Sequence, residues 1–200
     1  MNLLNSVIFL VSLSLSSQAV DRNYVFNVAN ADLAPDGFTR STVVVNNQFP
    51  GPLITANKGD TINVLVNNNL TSTSMRRSTT IHWHGLFQHR NAHHDGPAFV
   101  TQCPISPDHS YTYAIPPSNQ TGTYWYHSHL SSQYLDGLRG PIVINPEDPH
   151  RGLYDVDDES TVIVLADWFH AASHELLAAY TSPMNTAGNE QLPQSGTING

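Results

Sequence analysis

Residues 61–67 read TINVLVN, and the alternation in this stretch decides the fold class. Ile62, Val64 and Val66 fall on one face of an extended chain while Asn63 and Leu65 fall on the other, the period-two pattern of a half-buried strand. Lys58-Gly59-Asp60 supplies the turn that precedes it. Similar segments recur in both directions: YVFNV from Tyr24, STVVVN from Ser41, LITA from Leu53, TTIHWHG from Thr79, YTYAI from Tyr111, GTYWYH from Gly122 and GPIVIN from Gly140. Many short β-branched or aromatic runs, punctuated by Gly, Pro and Asn, predict an all-β sandwich or barrel.

The composition agrees. The 200 residues are 40% hydrophobic and only 12% charged, with 13 Pro and 12 Gly, which suits a turn-rich globular chain rather than a disordered one. The net charge is -8, and no basic cluster extends beyond Arg76-Arg77, so the electrostatic footprint of a nucleic-acid partner is missing.

Residues 1–19, MNLLNSVIFLVSLSLSSQA, carry an apolar run from Val7 to Leu15 followed by Ser17-Gln18-Ala19, the pattern of a secretory signal peptide cleaved before Val20. The run is shorter than the ~20 apolar residues that a spanning helix needs, so the expectation is a secreted, extracellular protein with no membrane partner. Two N-x-[ST] sequons, at Asn69 and Asn119, lie in polar, turn-like surroundings and are candidate glycosylation sites. Cys103 is the one cysteine, an odd count that implies a free thiol or a partner outside this chain.

Residues 145–160, NPEDPHRGLYDVDDES, concentrate Pro, Gly and acids between two apolar runs and read as a linker region. The expected organisation is therefore a signal peptide at 1–19, a first β domain at 20–148, a linker at 149–160 and the start of a second domain at 161–200. In that last part STVIVLADWF reads as a buried strand, and HAASHELLAAY has helical spacing at Leu176, Leu177 and Tyr180.

The chemistry concentrates in IHWHG, residues 81–85. On a strand, residues i and i+2 point to the same side about 6.6 Å apart, so His82 and His84 can face one ion or two adjacent ones while Trp83 turns into the core. The arrangement recurs at Tyr126-His127-Ser128-His129, so four imidazoles can converge. Imidazoles are costly to bury unsatisfied, and ligation is one way to use that many ring nitrogens in an apolar strand. Imidazole-only ligation suits Cu, Zn, Ni or Fe; the affinity order favours copper, and a four-histidine zinc site remains open on these grounds. His89, His93, His94, His109, His150, His170 and His174 show no repeated spacing and read as surface residues. Asp95, before Gly96-Pro97, can simply initiate a turn; alternatively its carboxylate can deliver protons to a metal-bound group. No Ser-His-Asp elbow, Walker loop, HExxH or Rossmann glycine pattern occurs, so hydrolase and nucleotide-dependent readings lack a motif.

Two longer stretches resemble a known family. HWHG, then nine residues, Asp95-Gly96, five more and Gln102-Cys103-Pro104-Ile105, is similar to the first signature of fungal laccases, and GTYWYHSHLSSQYLDGLRGP, residues 122–141, to their second. The likeness runs from about Tyr24 to the last residue and includes NNQFPGP, KGDTINV and STVIVLADW. Laccases are multicopper oxidases built from cupredoxin domains, which are Greek-key β-barrels, so the resemblance implies one such domain and the start of another. It also implies a trinuclear copper cluster held by four HxH pairs, of which this sequence has two. By position His82 resembles a ligand of the type 2 copper, His84 and His127 ligands of one type 3 copper, and His129 a ligand of the other. Asp95 resembles the acid that delivers protons near the cluster. Cys103 resembles a cysteine bonded to the far C-terminal region of such proteins, and its partner is absent from this sequence. The type 1 copper, where phenols deliver electrons, has no matching ligands here.

The sequence departs from that pattern at Leu135, where many laccases have a cysteine bonded to the second domain, and at NAHHDGP, where members commonly read NWADGP. The implied whole is a secreted, monomeric laccase that oxidises phenolic small molecules and reduces dioxygen to water, with a possible place in lignin or phenol degradation. The alternatives are a sister multicopper oxidase acting on ascorbate or ferrous iron and, for these 200 residues alone, a non-catalytic copper- or zinc-binding β domain.

Overall fold

The computed structural model describes residues 19–116, 119–146 and 151–200. All but the last residue of the expected signal peptide therefore lies outside the described residues, as does part of the linker. Among the described residues ten strands dominate: β1 (Asp21–Leu33), β2 (Arg40–Val45), β3 (Ile54–Asn57), β4 (Thr61–Asn69), β5 (Ile81–His84), β6 (Ser110–Ile115), β7 (Gly122–Ser128), β8 (Arg139–Asn145), β9 (Leu165–Trp168) and β10 (Ser195–Ile198), with one α-helix, α1 (Ser173–Tyr180).

The alternation of TINVLVN becomes β4. Ile62, Val64 and Val66 are buried, and Asn63, Leu65 and Asn67 are half-buried on the other face. β4 lies in a four-stranded sheet of order β2-β1-β4-β6, parallel to β1 and antiparallel to β6. A second four-stranded sheet has the order β3-β8-β7-β5. The chain passes between the sheets after β2, β3, β4, β5 and β6, so strands distant in sequence become neighbours, the interleaving of a Greek-key sandwich. The all-β expectation is met.

Between the layers sit Phe26, Val28, Val64, Val66, Ile81, Trp83, Tyr113, Tyr126 and Ile142. Phe26 meets Tyr126 with ring centroids 4.8 Å apart, and Trp83 meets Tyr113 edge-on at 5.3 Å. Aromatic rings of this size bury 150–250 Å² each, roughly 4–6 kcal/mol of apolar transfer at about 25 cal/mol per Å². This anchors β5 from its core side and leaves its opposite face free for the histidines.

β9 and β10 form a separate antiparallel pair. The run STVIVLADWF is strand only from Leu165 to Trp168, with Ile163 and Leu165 exposed, rather than a buried strand throughout. The reason is local: among the described residues β9 pairs with β10 alone, and within the run only Trp168 and Phe169 turn into packed surroundings. Trp168 lies under the Arg40 guanidinium, 4.7 Å from its carbon to the ring centroid, and 4.8 Å from the Phe49 ring. Two further ties join this part to the sandwich. The Asp136 carboxylate pairs with Arg40 at 3.1 Å and accepts from the Ser173 backbone N–H at 2.9 Å at the start of α1. Asp36, in the β1–β2 turn, meets His170 Nε2 at 2.7 Å and accepts from the Ser195 hydroxyl at 2.6 Å. Among the described residues no helix is long and apolar enough to cross a membrane.

Candidate metal centre

The register of β5 against β7 creates the site. His82 lies directly opposite His127 and His84 opposite Trp125, while Trp83 and Tyr126 face each other on the core side. Strand alternation thus puts His82, His84 and His127 on one face of the sheet edge. One ring nitrogen from each of the three lies within 4.8 Å of the others. His129 follows the end of β7 and is held by its own backbone, its N–H donating to Thr80 O at 3.1 Å and its carbonyl accepting from Ala98 N at 3.4 Å. Its ring stands 5.4 Å from that of His82 and 5.8 Å from that of His127. It borders the three and does not join the tight group.

The ring nitrogens are already sorted. His82 Nδ1 donates to the backbone carbonyl of Asp95 at 2.7 Å, and His127 Nδ1 donates to the carbonyl of Ser128 at 2.9 Å. A carbonyl only accepts, so both rings carry a proton on Nδ1, and the tautomer this bond selects leaves Nε2 as the ligating nitrogen. His84 Nδ1 faces His127 Nε2 at 3.2 Å. Two nitrogens each about 2.0–2.1 Å from one ion at a tetrahedral angle stand roughly 3.3 Å apart, so the pair fits a shared ion. Burial pushes His127 down to about 4, with the neighbouring His82, His84 and His129 adding to the effect and the Ser128 hydrogen bond opposing it. His84 is also lowered, by burial first and then by His82 and His129. His127 is therefore neutral at neutral pH, the state in which imidazole ligates, whereas the His84 side chain is exposed.

Asp95 reaches the site twice, through its backbone carbonyl and through Oδ1, 3.4 Å from His82 Nδ1. The adjoining glycine makes this approach possible. Gly96 has φ +101°, and a Cβ there would stand 2.0 Å from Ile81 O, so the loop lies directly on the β5 backbone. The departure at NAHHDGP leaves this contact in place: Ala92–His94 form one 3-10 turn, and Tyr111 Oη lies 3.2 Å from His94 Nδ1.

Cys103 is exposed and free, and the Asn69 and Asn119 side chains are exposed. Of the histidines read as surface residues, His89, His93 and His109 are exposed, whereas His94, His170 and His174 are half-buried; His150 lies outside the described residues. Sequence reasoning missed two rings at the site: Trp125 stacks on His84 at 5.0 Å, and Tyr134 lies 5.6 Å from His127. Trp125 had a signal, since a residue two before His127 on the same strand shares its face. Tyr134 had none, because it arrives from the turn Gln133–Asp136.

Residues 27–149 match the family described as multicopper oxidase, and the chain belongs to that family. Among curated proteins it is similar to Laccase-2 of Thanatephorus cucumeris, 61% identical over 96% of this chain and 31% of the relative, and to Laccase-1 of Agaricus bisporus, 50% identical over 100% and 38%. The chain thus spans about a third of the length of these relatives. Among solved structures it is similar to Fet3p, a multicopper oxidase that functions in iron import, with TM-score 0.78, 36% identity and coverage of 90% of this chain and 32% of that one. The laccase from Botrytis aclada gives TM-score 0.77 and 38% identity, over 93% and 32%. The fold is therefore cupredoxin-like, and copper is the metal this family implies.

Proposed function

We propose that this chain carries half of the histidine set of a trinuclear copper site in a secreted laccase, with the first cupredoxin domain at 20–148, a linker at 149–160 and the start of a second domain at 161–200. In this reading His84 and His127 hold one type 3 copper, His82 the type 2 copper and His129 the other type 3 copper. The observation that carries it is the 3.2 Å approach of His84 Nδ1 to His127 Nε2 from two different strands, with burial holding the His127 imidazole well below its ordinary value. Bound copper supplies one-electron redox steps that join phenol oxidation to dioxygen reduction. The chain's own residues do the rest. Backbone carbonyls hold the His82 and His127 tautomers, the aromatic core face of β5 keeps the imidazole face in place, and the Asp95 carboxylate beside His82 moves protons toward reduced oxygen.

Identity of 50–61% to fungal laccases over nearly the whole chain supports phenols and dioxygen as substrates. The likeness to Fet3p favours one other reading, oxidation of a metal ion such as ferrous iron on the same scaffold. The test is made on the natural polypeptide containing this chain, loaded with copper, with oxygen uptake followed in the presence of guaiacol or of ferrous iron. Guaiacol-driven uptake without hydrogen peroxide release supports laccase. Uptake with iron alone supports the second reading, and uptake that survives His82→Ala with His84→Ala removes these histidines from the site.

A further inference from the structure

Ser128 stands between His127 and His129, and its hydroxyl is buried on the side away from the imidazoles. That hydroxyl donates to Gln133 Oε1 at 2.5 Å. The same Gln133 amide donates from Nε2 to Arg76 O and Ser78 O, each at 3.0 Å, in the segment that leads into β5 and His82. Gln133 is 1% exposed, so all three bonds form in a site closed to water. Its acceptor and both its donors are used, and no other side chain of this size offers that combination. The turn carrying it is fixed in turn by Asp136, which binds Arg40 and the start of α1.

We propose that Gln133 is a positioning residue for the histidine cluster: through Ser128 it locks the His127–His129 strand end to the chain entering β5, and so sets the His127 imidazole against those of His82 and His84. The idea rests on the reading of these histidines as copper ligands, but its first readout needs no metal. A buried amide that joins two ligand-bearing strands acts on geometry in the way outer-shell partners of metal ligands do, whose loss typically weakens metal binding by about 10–100-fold. A merely structural glutamine lowers stability and leaves the ring geometry of the folded protein unchanged.

The experiment uses Gln133→Leu, Gln133→Glu and Ser128→Ala. Nitrogen NMR of the metal-free protein reads the His127 tautomer, and cupric ion titration with electron paramagnetic resonance reads the site. The wild type shows His127 protonated on Nδ1 alone. Gln133→Leu is expected to mix the two tautomers and to weaken copper binding by about tenfold or more, with Gln133→Glu, which keeps the acceptor for Ser128, lying between. Folded Gln133→Leu with an unchanged tautomer and unchanged copper affinity overturns the proposal. Should that variant fail to fold, Ser128→Ala, which leaves the bonds from Gln133 to Arg76 and Ser78 in place, is read by the same two criteria. A shifted tautomer in a protein whose wild type takes up no copper supports the positioning role and sinks the copper reading instead.

Discussion

His82 donates its Nδ1 proton to the backbone carbonyl of Asp95 at 2.7 Å, a bond across thirteen residues that links a strand to the tip of a loop. The bond selects the tautomer with a free Nε2, and it exists because Gly96 lets the loop backbone lie against Ile81. A residue with no functional group therefore decides how the His82 imidazole is presented.

Replacing that glycine should be costly. In Gly96→Ala a Cβ would come within 2.0 Å of Ile81 O at a φ of +101°, so the loop must move and carry the Asp95 carbonyl off His82. Strained positive-φ backbone costs about 1–3 kcal/mol, and urea unfolding should show a loss of at least that size. Copper titration should show weaker binding, whereas Gly59→Ala, where a Cβ meets nothing within 4 Å, should leave binding unchanged.

His127 should make the metal-free protein sensitive to mild acid. Its folded value of about 4 lies below the ordinary 6.5, so between those two pH values the unfolded chain takes up a proton that the folded chain refuses. Stability is then undiminished above pH 6.5 and falls as the pH drops toward 4, by roughly 3 kcal/mol over the window. Urea unfolding as a function of pH should be distinctly flatter over that range in His127→Gln.

Asp36 should act in the same direction, at lower pH. Bonds from Ser195 and His170 hold its carboxyl at about 2, below the ordinary 3.8, so its contribution is present above pH 3.8 and is lost as the pH falls through 2. Asp36→Asn should loosen the β9–β10 pair, read as faster amide exchange at the Thr197 and Ala166 positions, without altering copper binding.

These 200 residues alone are expected not to oxidise guaiacol, because the HxH pairs at His82–His84 and His127–His129 are half the histidine set of the proposed cluster and the type 1 ligands have no counterpart here. Copper-dependent turnover of guaiacol by the purified chain, measured as oxygen uptake, would contradict the proposed division of ligands.

Much of the fold was legible because strand alternation is a local property. TINVLVN gave up its buried face to inspection, and IHWHG its two same-side histidines, since a two-residue period depends on nothing outside the strand. The run STVIVLADWF misled for the converse reason: its apolar content resembles that of a core strand, but burial depends on what covers it, and Ile163 and Leu165 are uncovered.

What the sequence determined by itself is the inventory: alternating strands, paired histidines at i and i+2, and a glycine after Asp95. Tertiary structure alone decided the register that sets His82 opposite His127, the 3.2 Å approach of His84 to His127, the place of His129 at the border, and the amide of Gln133 that joins the two histidine-bearing segments. The physical reason is range. Side-chain alternation is fixed by the backbone within one strand, whereas register and burial arise only when segments tens of residues apart share one core and must pair every polar group they bury.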